Sequence, residues 1–146
     1  MNADSLPNLV GRWRLVSYEA CTSAGETRYP LGRHVVGQLF YDVRGNMSAH
    51  AMRVDRSMFV SDDSGSGTDA EVRAAFEGHT SYFGTYTIDP SNRTVTHHVH
   101  GASYPNWMGH DQIRYYRIDG PHLVLSSPPI LHRGESLEYI LTWERI

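Results

Sequence analysis

Apolar residues recur at every second position along most of the chain, the period of a β-strand with one buried face. In "GRWRLVSYEA" this alternation puts Trp13, Leu15 and Ser17 on one face. "VVGQLFYDVRGNMSAHAMRV" reads as a hairpin whose arms carry Leu39 and Tyr41, then Met47, Ala49 and Ala51. Its turn falls at Arg44-Gly45-Asn46, because glycine and asparagine tolerate positive φ. Alternation returns in "SYFGTYTID", where Tyr82, Gly84, Tyr86 and Ile88 share a face, and continues past a "PSNR" turn into "TVTHHVHGA". "DQIRYYRIDG" and "HLVLSS" follow across a Gly-Pro turn, and "SLEYILTWERI" aligns Leu137, Tyr139, Leu141 and Trp143.

The period changes once. After the polar stretch "SDDSGSGTD", Val72, Ala75, Phe76 and His79 fall at i, i+3, i+4 and i+7, which predicts a helix over 69–79. Thr68 or Asp69 is placed to cap it, and Gly78 weakens its end. The pattern therefore gives eight strands, with one short helix between the third and fourth. Short antiparallel strands joined in sequence predict an all-β fold, an eight-stranded antiparallel up-and-down β-barrel, since closure removes both unpaired edges. Eight strands enclose an interior that side chains fill, or that takes one small ligand.

Composition narrows the function more than the fold. The 146 residues suit a single domain over 1–146. A net charge of -3, from 13 basic and 16 acidic residues with no block of either sign, predicts no nucleic-acid partner. No apolar run approaches the roughly 18 residues of a membrane span. The opening "MNADSLPNLVGRW" shows no basic-then-apolar leader pattern. Cys21 is alone, so no internal disulfide and no cysteine-based zinc pattern arises, and a cytoplasmic setting is the expectation. Nine tyrosines and nine histidines suit a pocket for a partly polar organic molecule, and they equally suit ordinary barrel strands. A homodimer stays open at this level.

Two features carry a resemblance. Gly11-x-Trp13 lies on the first strand and Arg145 on the last, similar to the Gly-x-Trp and late-strand arginine that close the barrel base in lipocalins and related calycins. More broadly, "LVGRWRLVSYE", "GQLFYDVRGNMSA", "YFGTYTID", "TVTHHV", "PNWMGHDQIRYYRI" and "LTWER" resemble, in order, the bacterial and fungal lipocalin-like domain family. The coverage runs from about Leu9 to Arg145. The resemblance implies a calycin-type small β-barrel and does not fix a reaction.

The histidine-rich strand holds the chemistry. Val95, His97 and Val99 share one face, while His98 and His100 share the other with Thr94 and Thr96. An amphipathic strand turns its apolar face inward, which places His97 in the interior and the His98/His100 pair outside. A metal needs three or four converging ligands, and only His50 offers a third, so no metal site is predicted. A buried imidazole is held neutral by desolvation. His97 is thus a core hydrogen-bonding group, a ligand contact or a proton-transfer group, with Tyr86 on the adjacent strand as its expected partner.

Tyr41, Met47, Tyr82 and Tyr139 are further interior candidates by phase. Tyr104 and Trp107, in the apolar connection "ASYPNWMGH", belong to a wall at the barrel mouth or to a plug at its closed end. Arg114, if inward, is a buried cation that needs a carboxylate from the protein or an acidic or carbonyl-rich ligand. No Gly-x-Ser-x-Gly elbow, phosphate-binding loop or dinucleotide fingerprint occurs, and no cofactor is predicted.

Three functions compete. The first is binding of a small, largely apolar organic molecule in the barrel. The second is a cofactor-independent isomerase, cyclase or lyase, with His97 moving the proton, Tyr86 assisting and Arg114 stabilising developing negative charge. The third is an interaction module with a filled barrel. Only the first two need a cavity lined by His97.

Overall fold

The strands predicted by alternation form a closed barrel in a computed structural model that describes residues 6–146. In chain order the elements are β1 (Gly11–Thr22), β2 (Thr27–Arg28), β3 (Val35–Tyr41), β4 (Asn46–Arg53), α1 (Asp69–Glu77), β5 (His79–Asp89) and β6 (Thr94–Ala102). A 3₁₀ turn (Pro105–Trp107) precedes β7 (Asp111–Asp119), β8 (His122–Ser126), β9 (Ile130–His132) and β10 (Glu135–Arg145). Eight strands make the barrel, in the order β1-β3-β4-β5-β6-β7-β8-β10, and β10 returns to pair antiparallel with β1. The two-residue β2 and three-residue β9 are appendages on β1 and β10. Helix α1 sits between the third and fourth barrel strands, as the change of period indicates.

One end of the barrel is sealed by the residues that carry the calycin resemblance. Trp13 is buried, and its indole N–H donates to the Leu9 carbonyl at 2.9 Å. The Arg145 guanidinium lies over the Trp13 ring at 4.1 Å and donates to the carbonyls of Val10 (2.7 Å) and Asn8 (2.6 Å). This satisfies backbone acceptors of the incoming chain and covers the indole face at once. Gly11 permits the corner: its φ is +130°, and a Cβ there would come within 2.9 Å of the guanidinium. Leu9, Tyr41, Met47, Val95 and Leu123 pack around Trp13 into a continuous apolar core.

Two bulges change the phase of the alternation. In β1 the register slips between Leu15 and Ser17, so the simple count that puts Ser17 beside Trp13 and Leu15 fails there. Tyr18 and Ala20 take the inward positions instead, because a bulge inserts one unpaired residue and flips every side chain after it. Where β5 pairs with β6 the register slips at Phe83/Gly84, with His100 of β6 as the unpaired residue, so β5 itself keeps its alternation. A Cβ at Gly84 would stand 1.9 Å from the His98 carbonyl, so only glycine allows the strands to approach this closely.

The helix ends at Glu77, two residues short of the predicted limit, and His79 opens β5 instead of closing the helical face. Thr68 caps its start: the hydroxyl accepts from the Glu71 N–H, and the Glu71 carboxylate accepts from the Thr68 N–H. Val72 and Phe76 stay half-exposed and no helical residue is buried. The 3.6-residue spacing therefore marks a helix at the barrel mouth and not one packed into the core.

Candidate ligand-binding site

Above the sealed end the barrel is hollow. A cavity of about 1160 Å³ runs from the interior out through the mouth. Its deeper part is bounded by Leu39, Leu125, Leu141 and Trp143, all from inward positions of the alternating strands. Ala49 and Ala51 of β4 leave the room, since small side chains face the space on that side. Aromatic rings form much of the rest. Tyr18 and Tyr139 meet edge to face at 5.9 Å, and Trp107 meets Tyr82 at 6.1 Å and Tyr104 at 5.4 Å in the same way. The connection "ASYPNW" is thus a wall at the mouth, not a plug at the closed end. Helix α1 borders the same opening through residues from Glu71 to Glu77.

His97 lies at the boundary between core and cavity and is buried. Both ring nitrogens are engaged: the Tyr41 hydroxyl is 2.6 Å from Nε2 and the Tyr82 hydroxyl 2.6 Å from Nδ1. Burial pushes the imidazole down from 6.5 to about 3, and the positive charge of Arg114 and the neighbouring His98 act in the same direction. Burial likewise raises the phenols of Tyr41 and Tyr82, so all three groups are neutral at ordinary pH.

The structure corrects the expected partner of His97. Tyr86 is its direct cross-strand neighbour, yet its hydroxyl donates to the Asp42 carbonyl at 2.7 Å and its ring packs edge-on against Tyr41. A tyrosine carries its hydroxyl well beyond its own Cβ, so register alone does not say where the polar tip lands. Tyr41, Met47 and Tyr86 stand in the packed layer below the cavity, whereas Tyr82, His97, Tyr104, Trp107, Arg114 and Tyr139 line it.

Arg114 points inward and lines the cavity. Its guanidinium donates to Gln112 Oε1 at 3.1 Å and to the Ile113 carbonyl at 2.8 Å. Among the described residues no carboxylate lies within ion-pair distance of it. The cavity therefore keeps a positive charge beside largely apolar walls. Trp143, also on the lining, has a buried indole N–H without a partner among the described residues.

The outward histidines do not assemble a metal site. His98 bonds Asp111 through Nδ1 (2.8 Å) and Thr87 through Nε2 (3.0 Å) on the outer wall, and His100 is exposed. His50 stacks on His79. Among the described residues no three or more His, Cys, Asp or Glu side chains converge. The Thr87–His98–Asp111 chain has the order of a hydrolytic triad, but it lies on the outer wall and takes no part in lining the barrel cavity.

Two further lining residues stand outside the candidate set, and only the first escapes a reading by alternation. Tyr18 is hidden by the β1 bulge, which no local sequence signal marks. Gln112 shares the face of Arg114 two residues away, and its inward position follows from the phase that places Arg114.

Comparison with known proteins agrees with this geometry. Residues 10–146 match the lipocalin-like domain. Over 107 residues the chain is 35% identical to a 4'-hydroxy-3'-methoxypropiophenone carrier protein of Aspergillus oryzae, a stretch covering 68% of this chain and 96% of that protein. No solved structure matches the chain.

Proposed function

The chain belongs to the lipocalin-like domain family, and on that premise we propose that it is a carrier that takes up a small, largely apolar aromatic molecule bearing an electron-rich oxygen. The observation that carries this reading is the open, aromatic-walled cavity with an inward arginine that has no carboxylate partner among the described residues. Apolar walls supply the driving force for uptake, and the few polar groups supply orientation. An uncompensated guanidinium favours a ligand with a carbonyl, phenolate or carboxylate oxygen. Aryl ketones fit that description, and the molecule for which the Aspergillus oryzae carrier is named is of the same class.

The enzyme reading has less support. With a phenol on each nitrogen, His97 presents no free lone pair to a substrate, and its depressed pKa makes it a weak base. A filled interaction module would need a packed interior in place of the cavity. Titration of the purified chain with propiophenone tests the choice. The carrier reading predicts saturable one-to-one binding with the ketone recovered unchanged by mass spectrometry. Absence of saturation would remove it, and a time-dependent product would replace it with the enzyme.

A further inference from the structure

The Tyr41–His97–Tyr82 chain has a direction. A neutral imidazole carries one proton, so one of the two phenols must donate to it and the other must accept from it. If Tyr82 donates to Nδ1, then Nε2–H donates to the Tyr41 oxygen and the Tyr41 O–H is left over. Tyr41 is fully buried, does not line the cavity, and has no other hydrogen-bond partner for its hydroxyl among the described residues. A stranded buried donor of this kind disfavours that arrangement by roughly one to two orders of magnitude in population. In the reverse arrangement Tyr41 donates to Nε2, and Nδ1–H donates to the Tyr82 oxygen. The spare proton then sits on Tyr82, which does line the cavity.

Resting on the carrier reading, we propose that Tyr82 is the residue that reads the ligand's oxygen, held as a hydrogen-bond donor by the Tyr41–His97 pair beneath it. The cavity then discriminates by hydrogen-bonding sense. A molecule presenting a carbonyl or other acceptor oxygen at Tyr82 meets a free O–H, whereas one presenting only a donor there must share an oxygen that already accepts from Nδ1–H. Arg114 adds a second donor to the same space, so the site as a whole favours acceptor-bearing aromatic ketones over bare hydrocarbons of the same shape. His97 is a positioning residue in this scheme: it acts on the ligand through Tyr82.

The test uses propiophenone and propylbenzene, which share a ring and a three-carbon chain and differ by the carbonyl oxygen. Both are titrated calorimetrically into the wild-type chain, Tyr82→Phe and Tyr41→Phe, with circular dichroism confirming the fold of each. Comparing the ketone-to-hydrocarbon affinity ratio between the proteins cancels the difference in the hydration of the two free ligands. The ratio should fall on the order of tenfold in Tyr82→Phe and by about threefold in Tyr41→Phe, where the donor remains but its direction is no longer imposed. The infrared carbonyl stretch of the bound ketone should be lowered in the wild type and revert in Tyr82→Phe. Nitrogen NMR of ligand-free protein should show the His97 proton on Nδ1. A proton on Nε2, or an unchanged ratio in a folded Tyr82→Phe, overturns the proposal. Should neither probe bind the wild type, it is the carrier reading that fails, and the His97 tautomer then decides the donor claim by itself.

Discussion

Acidification should weaken the fold through His97, and the size of the effect follows from its burial. The imidazole titrates near 6.5 when free and about 3 in the folded chain, where desolvation dominates and Arg114 and His98 add repulsion; the phenols of Tyr41 and Tyr82 that face it stay neutral. The folded value lies below the unfolded one, so between these limits the unfolded chain binds more protons. Stability from this group is complete above about pH 6.5, falls as pH drops towards 3, and changes no further below that. At pH 5 the loss amounts to about 2 kcal/mol, taking 1.36 kcal/mol per pH unit over the interval below 6.5. Urea unfolding followed by tryptophan fluorescence at pH 7.5 and pH 5.0, on the wild type and His97→Gln, isolates the contribution. The variant carries no titratable group at this position, so its pH dependence should be shallower by about 2 kcal/mol. Parallel losses in the two proteins would refute the assignment of His97 as a buried neutral ring.

Other consequences are simpler to read. Gly11→Ala forces a side chain into a φ of +130° and against the Arg145 guanidinium, and should cost about 2 kcal/mol or more in urea unfolding. Thr68→Ala removes the helix cap, worth about 1 kcal/mol locally. Since α1 buries no side chain, amide exchange in 69–77 should quicken while the global unfolding midpoint barely moves. Tyr86→Phe deletes a hydrogen bond to the Asp42 carbonyl, lowering stability by about 1 kcal/mol and leaving propiophenone affinity within twofold of wild type.

The strands were readable because each carries an apolar face of strict period two, and where that period is intact the inward set follows directly. His97 is the clearest case: two flanking valines decide its side of the sheet against the more conspicuous His98 and His100. The sealed base was readable too, since Gly11, Trp13 and Arg145 each have a specific mechanical task. Bulges defeated the count in β1, where Tyr18 replaces Ser17 on the inner face. The partners of His97 were out of reach for a different reason. Tyr41 lies 56 residues away and meets it only through barrel closure, and Tyr82 reaches it by the length of its ring, not by register. Likewise, alternation left the side of Arg114 open and could not show that no carboxylate accompanies it among the described residues.

Filling the cavity tests the central claim most directly. Ala49 lines the hollow half of the barrel, and Ala49→Trp would occupy the space a ligand needs while leaving the sealed end untouched. Calorimetric titration of propiophenone into both proteins should give one saturable site in the wild type and none in the variant, with both chains showing the same β-rich circular dichroism. Equal binding by the two would place the ligand outside the barrel and contradict the account.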